Sequence, residues 1–226
     1  MFEPWIGELW ARPNNPLGGM RLMVLGESHH CDKRPIGSLA PEMTRDVVSG
    51  YVNGSLDRGS KRFFTKVAKL VARKPVEQVT QSEALAIWNS VIFYNYVPRI
   101  AANGPGQRPP RELWYGEAPN LFRELIKKKE VEAVLVCGDD LWNHLPPGLE
   151  GAPSYILNSA NRRTRMYPIT GPYQAVAAHM HHPSAGGGWA YARWRPVVDF
   201  LFAEVARQRA TQGTAPPLPA SLLAGG

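Results

Sequence analysis

The sequence contains little cysteine and no long hydrophobic run, and both shortages exclude classes of protein. Its only cysteines are Cys31 and Cys137. Two thiols are too few for a disulfide scaffold, a four-cysteine zinc site or a four-cysteine iron–sulfur cluster. No stretch of about 18 apolar residues is present, and the first residues lack the basic-then-apolar order of a signal peptide. We therefore expect a cytoplasmic protein that does not cross a membrane.

Acidic residues are also few relative to basic ones. The chain of 226 residues has 26 Lys and Arg against 19 Asp and Glu, a formal net charge of +7 with histidine neutral. A basic surface attracts polyanions, and nucleic acid is the first of these to consider. With 44% hydrophobic and 20% charged residues, the composition is that of a globular chain, and the length suits one α/β domain.

Apolar runs that predict buried strands alternate with segments that predict helices. The predicted strands are residues 21–26, 90–94, 131–138 and 173–180, with an extra or edge strand near 155–157. The predicted helices are residues 41–51, 61–72, 80–88, 121–129 and 189–209, and a short helix from Asp139 or Asp140. The alternation predicts a three-layer α/β/α sandwich with a mostly parallel central sheet. We expect one domain over residues 1–210 and a flexible tail over residues 211–226.

Polar residues follow each of the predicted strands. In an open parallel sheet, ligands bind beyond the carboxyl ends of the strands. The segments at these ends are Gly26-Glu27-Ser28-His29-His30, Asn95-Tyr96-Val97-Pro98-Arg99, Gly138-Asp139-Asp140 and His181-His182-Pro183-Ser184. A carboxylate, an amide and several imidazoles are therefore expected to meet at one edge of the sheet. Taken singly, Asp139 and Asp140 are better explained as helix N-cap residues.

The combination and order of these segments resemble the uracil-DNA glycosylase superfamily. Its members have a glycine-led loop after the first strand, here residues 26–30, and a His-Pro-Ser loop after the last, here residues 182–184. Between them, Asn95 resembles the asparagine at the end of the family's second strand, and Gly138 resembles the end of its third. The resemblance spans residues 21–202. It implies the uracil-DNA glycosylase-like fold and a monofunctional DNA glycosylase that flips out a pyrimidine base and excises it, leaving an abasic site.

The resemblance also implies roles for individual residues. Glu27 would orient a water molecule and stabilise the sugar cation, and His182 would donate a hydrogen bond to the departing base. The residues expected to bind the base are Ser28, His29, His30, Phe93 and Asn95. The residues expected to bind DNA are Arg99, Ser184, Gly186, Gly187 and Trp189. This chemistry uses no metal or other cofactor, and we expect a monomer whose partner is DNA.

The first loop departs from the uracil-specific branch of the family. That branch has Pro-Tyr-His, in which the tyrosine closes the pocket against a substituent on the pyrimidine, whereas this chain has Ser28-His29-His30. We therefore expect space beside C5 of the base, which suits a bulky modified pyrimidine such as those of some phage DNAs. The alternative is that Tyr94 or Tyr96 closes the space and uracil is the substrate. Repair and defence against phage DNA are both left open.

Two other functions are open from the sequence. His179, His181 and His182 could serve a metal-dependent hydrolase, because the alternation His179-Met180-His181 places two rings on one face of a strand. A non-catalytic DNA-binding or sensing module would keep the same fold without turnover. Such a module would bind DNA and leave no abasic product.

Overall fold

Strands and helices alternate through the part of the chain that the computed structural model describes, residues 2–104, 106–157, 162–184 and 189–212. The strands are β1 (Trp5–Ile6), β2 (Leu22–Gly26), β3 (His29–His30), β4 (Ile92–Asn95), β5 (Ile100–Ala102), β6 (Ala133–Cys137), β7 (Ile156–Leu157), β8 (Arg162–Arg163), β9 (Arg165–Pro168) and β10 (Gln174–Met180). The helices are α1 (Met43–Val52), α2 (Arg58–Val71), α3 (Gln81–Trp88), α4 (Arg111–Tyr115), α5 (Ala118–Lys128), α6 (Asp139–His144) and α7 (Tyr191–Gln212). Within these ranges, no helix combines the length and the apolar character needed to cross a bilayer.

Six strands form a central sheet in the spatial order β1-β4-β2-β6-β10-β9. The four inner strands run parallel to one another, and the two edge strands run antiparallel to their neighbours. Two pairs of short strands lie outside this sheet, β3 with β5 and β7 with β8. The prediction of a mixed α/β chain with a mostly parallel central sheet is therefore confirmed.

The inner strands read as continuous apolar runs because both of their faces are buried. Every residue of β2 and of β6 is buried. Along β2, Leu22 and Val24 belong to a first core cluster, whereas Met23 and Leu25 belong to a second. Side chains of α1, α2, α3 and α7 complete the first cluster, and side chains of α4, α5 and α6 complete the second. Alternate side chains of β2 thus pack into the two core clusters on opposite faces of the sheet.

Local capping decides where two of the helices begin. α2 starts earlier than its apolar spacing predicted, because the Asp57 carboxylate accepts hydrogen bonds from the backbone N–H groups of Gly59 and Ser60. α3 starts where the sequence predicted. There, the hydroxyl of Thr80 accepts from the backbone N–H of Glu83, and the Glu83 carboxylate accepts from the backbone N–H of Thr80.

The shortest strands were not signalled by the sequence. β1, β3, β5 and β9 have two to four residues each, too few to display a period of two. β7 falls at the predicted extra strand, but it pairs with β8 outside the central sheet. At the other end, α7 continues to Gln212, two residues into the segment expected as a tail. The rest of that segment, residues 213–226, lies outside the described residues.

Replacing Thr80 with alanine is expected to lower the free energy of unfolding by about 1 kcal/mol, because the first turn of α3 loses the oxygen that accepts from the backbone N–H of Glu83. Thr80→Ser keeps this hydroxyl and should stay close to the wild type. Urea unfolding followed by circular dichroism measures both variants. Equal stabilities for the alanine and serine variants would contradict a stabilising cap.

Candidate functional site at the carboxyl edge of the sheet

The chain turns to opposite sides after the two middle strands of the sheet. From β2 it leads to β4 on one side, and from β6 it leads to β10 on the other. Such a topological switch point leaves a crevice at the carboxyl ends of the strands, where open α/β sheets bind their ligands. Glu27 directly follows β2, and Asp139 and Asp140 form the start of α6, one residue after the end of β6. The structure therefore places these three carboxylates at the crevice.

Glycine at position 26 makes room for the side chain of Asn95. The two residues are partners in the register of β2 and β4. A Cβ atom on Gly26 would lie 2.1 Å from Oδ1 of Asn95 and 3.1 Å from the ring of Phe93. The Asn95 amide thus occupies space that only a residue without a side chain leaves open. Two of the predicted base-binding residues, Asn95 and Phe93, are brought together beside Gly26.

Glu27 forms an ion pair with an arginine that sequence reasoning missed. Nη1 of Arg108 is 3.1 Å from Oε2 of Glu27, and Nη2 of Arg108 is 2.6 Å from Oδ2 of Asp140. Burial raises the pKa of the Glu27 carboxyl, and the positive charge of Arg108 opposes that rise. Arg108 lies within residues 104–110, where the proline and glycine content predicts only a loop. No local pattern could have connected it with a carboxylate 81 residues away.

His182 is held as an uncharged ring of defined tautomer. Its Nδ1 accepts a hydrogen bond from the backbone N–H of Ser184 at 3.2 Å, which leaves the ring proton on Nε2. Burial lowers the pKa of His182 to about 4, and the positive charges of Arg108 and Lys66 act in the same direction. The ring stacks on Phe63 of α2 with 5.3 Å between the centroids. At neutral pH, His182 therefore offers an N–H donor without carrying charge.

The segment that carries His182 is braced from α2. Nζ of Lys66 donates to the carbonyl oxygen of Pro183 at 2.7 Å and lies 4.9 Å from the centre of the Trp189 ring. Nε1 of Trp189 donates to the carbonyl oxygen of His181 at 3.1 Å. Trp189, which the sequence suggests as a DNA contact, thus supports the backbone before His182, and Lys66 supports the backbone after it.

Asp139 contacts two of the three histidines that the sequence suggests as metal ligands. Its carboxylate accepts a hydrogen bond from Nδ1 of His181, and its Oδ1 lies 3.5 Å from Nε2 of His179. The third ring, His182, stacks on an aromatic ring of α2 instead. Across the described ranges, no three His, Cys, Asp or Glu side chains are grouped so that they could hold a metal ion. The alternative of a metal-dependent hydrolase therefore gains no support.

The interpretation of Asp139 and Asp140 as helix caps is wrong. The N-cap of α6 is Gly138, which has no side chain that could accept a hydrogen bond. The two aspartates instead occupy the first turn and contact side chains across the crevice, Asp139 with His181 and Asp140 with Arg108. Their carboxylates lie at the positive end of the helix, where negative charge is favourable.

The predicted base-binding residues of the first loop lie in different surroundings. The ring of His29 is buried edge-on against Phe2, and its Nε2 lies 2.8 Å from Oγ1 of Thr44. Burial lowers the pKa of His29 to about 3. His30 is exposed, and Ser28 is half-buried between β2 and β3. The His29 ring is therefore part of the core beneath the loop and differs from the expected pocket lining.

The predicted DNA-binding residues are also distributed unevenly. Arg99 pairs with Glu117, and its Nη1 donates to the carbonyl oxygen of Gly37 at 3.1 Å. Ser184 is exposed next to His182. Gly186 and Gly187 lie outside the described residues.

Sequence comparison adds no relative from which a function could be transferred. No protein-family model matches the chain, and a search of curated proteins finds no match. The functional argument therefore depends on the geometry of the crevice. The half-buried carboxylate of Glu27 and the amide of Asn95 lie at the ends of the adjacent strands β2 and β4, and the neutral imidazole of His182 follows β10, on the other side of β6.

Nuclear magnetic resonance of protein labelled with ¹⁵N-histidine is expected to show His182 as the Nε2–H tautomer at neutral pH, with a midpoint of titration at about 4. The physical reasons are the hydrogen bond that Nδ1 accepts and the burial of the ring. The His182→Ala variant identifies the signal by its loss. A midpoint of about 6.5, the value of an unperturbed histidine, would contradict the neutral buried ring.

Proposed function

We propose that the protein is a monofunctional DNA glycosylase, which hydrolyses the N-glycosidic bond of a flipped-out pyrimidine nucleotide. The observation that carries the proposal is the placement of Glu27, Asn95 and His182 at the carboxyl ends of three parallel strands, β2, β4 and β10, around the switch point of the sheet. Helix residues in both core clusters support a three-layer α/β/α sandwich of the uracil-DNA glycosylase kind. The protein would act on DNA as a cytoplasmic monomer.

The three side chains match the charges that develop in this reaction. When the bond between the sugar and the base breaks, the sugar gains positive charge and the base leaves with the bonding electron pair. The carboxylate of Glu27 stabilises the cation and orients the water, whose hydroxyl group adds to the sugar and whose proton neutralises the departing base. Nε2–H of His182 donates to the base oxygen as that oxygen becomes negative, which is stabilisation of the oxyanion-hole type. The amide of Asn95 offers both a donor and an acceptor to the edge of a pyrimidine.

The position of the tyrosines favours a base with a substituent at C5. Tyr94 and Tyr96 were the residues that could have closed that side of the pocket. Both are buried in the second core cluster, whereas Phe93 belongs to the first. Because successive side chains of a strand point to opposite faces, Tyr94 faces away from Phe93 and Asn95. As the substrate, we favour a modified pyrimidine of phage DNA over uracil. As the biological role, we accordingly favour defence against phage over DNA repair.

Incubation of the protein with DNAs that carry uracil or a C5-modified pyrimidine is expected to give abasic sites, which alkali converts to strand breaks. Glu27→Gln and His182→Ala should each lower the single-turnover rate on the order of 10²-fold or more, because each removes a group that stabilises charge in the transition state. Glu124→Gln, at an exposed position of α5, is the matched control and should keep the wild-type rate.

Other outcomes of this experiment separate the remaining functions. DNA binding without any abasic product would identify a sensing module. Activity that a chelator abolishes and a divalent metal restores would identify a metal-dependent hydrolase. A folded Glu27→Gln variant with the wild-type rate would remove Glu27 from the mechanism.

Gly26→Ala is expected to lower the single-turnover rate on the order of 10²-fold, because the added Cβ atom must displace the amide of Asn95 by about 1 Å or more. The distance of 2.1 Å from this Cβ to Oδ1 of Asn95 is far below any normal contact. The control is Gly50→Ala in α1, whose Cβ atom would lie 3.4 Å from its nearest neighbour. Rate and thermal unfolding are measured together. A folded Gly26→Ala variant with unchanged rate would show that Asn95 does not bind the base.

A further inference from the structure

The side chain of Arg108 spans the crevice between the two loops of the switch point. It contacts Glu27 after β2 at 3.1 Å and Asp140 after β6 at 2.6 Å. Arg108 itself belongs to the connection between β5 and α4. A single guanidinium thus joins three segments that are far apart in the sequence. We propose that Arg108 is a positioning residue of the candidate site, which ties the loop of Glu27 to the first turn of α6.

The geometry of the contact sets the orientation of the Glu27 carboxylate. Arg108 binds Oε2, and within the described residues no side chain donates a hydrogen bond to the other oxygen, Oε1. The side chain of Glu27 is 18% exposed and that of Arg108 is 64% exposed, so the arginine reaches the carboxylate from the solvent side. A planar guanidinium that binds two carboxylates through two different nitrogens restrains both. One oxygen of Glu27 is thereby held, and the other is left for the attacking water.

The positive charge of Arg108 favours the ionised form of Glu27. Burial and the negative charge of Asp140 raise the pKa of this carboxyl, whereas Arg108 and His144 lower it. Removing the charge of Arg108 therefore raises the pKa of Glu27 further. The catalytic role of Glu27 requires the ionised carboxylate. As the pH falls, a variant without the charge of Arg108 protonates this carboxylate at a higher pH than the wild type does.

The same charge adds to the effect of burial, which is the main reason why His182 is neutral. Arg108 and Lys66 are the charged groups that act on this ring, and both add to the effect of burial in lowering its pKa to about 4. Without Arg108, the pKa of His182 rises towards that of an exposed histidine. The higher pKa of Glu27 and the higher pKa of His182 both reduce activity at low pH, because catalysis needs Glu27 deprotonated and His182 uncharged. The acid limb of the pH–rate profile must then move to higher pH.

This inference rests on the proposed glycosylase function for its catalytic consequence, and single-turnover rates across a range of pH test it. Arg108→Ala is expected to lose on the order of 10-fold more rate at about pH 5 than at about pH 8. Arg108→Lys keeps the charge and should leave the acid limb near its wild-type position. Arg111→Ala removes an exposed arginine that lies over the ring of Tyr115, and should have the wild-type profile. Equal, pH-independent losses in the alanine and lysine variants would overturn the proposal.

A second measurement does not depend on any activity. The titration of His182, followed by nuclear magnetic resonance, should move to higher pH in Arg108→Ala and remain near its wild-type position in Arg108→Lys. An unmoved midpoint in Arg108→Ala would overturn the proposal. A shifted midpoint in a protein that releases no base from any DNA would instead overturn the glycosylase function. The electrostatic effect of Arg108 on His182 would still be established.

Discussion

Burial of the inner strands on both faces is the constraint on which the rest of the structure depends. Because every residue of β2 and of β6 is enclosed, polar side chains are confined to the places where these strands end. The parallel direction of the four inner strands then brings those ends to one edge of the sheet. Glu27, Asn95 and His182 therefore lie at the same edge, although they come from widely separated parts of the sequence.

The crevice combines partial burial with the positive charge of Arg108, and these two factors affect the pKa values of Glu27 and His182 differently. Burial disfavours charge on Glu27 and on His182 alike, which raises the pKa of the acid and lowers that of the base. Arg108 opposes burial at Glu27 and adds to it at His182. A carboxylate and a neutral imidazole can therefore coexist at neutral pH, and this pair of protonation states suits hydrolysis of an N-glycosidic bond.

The two alternatives to a glycosylase make different demands on the arrangement of the side chains. A metal-dependent hydrolase needs three ligands around one point, but the carboxylate of Asp139 accepts from the ring of His181 while the ring of His182 stacks on Phe63. A DNA-sensing module makes no such geometric demand, and turnover alone distinguishes it. The orientation of Asn95 over Gly26 would be needed in both a sensor and an enzyme that recognise a base. The ionised carboxylate of Glu27, which orients the attacking water, would be needed by the enzyme alone.

The sequence by itself determined the inner strands, the start of α3 and the edge of the sheet at which the polar residues gather. These features depend on local signals, since an apolar run or a cap is complete within a few residues. Only the tertiary structure decided that His29 enters the core, that Asp140 faces an arginine instead of capping its helix, and that Arg108 covers Glu27. Each of these depends on how loops from distant parts of the chain pack against one another, and no periodicity in a single segment encodes that.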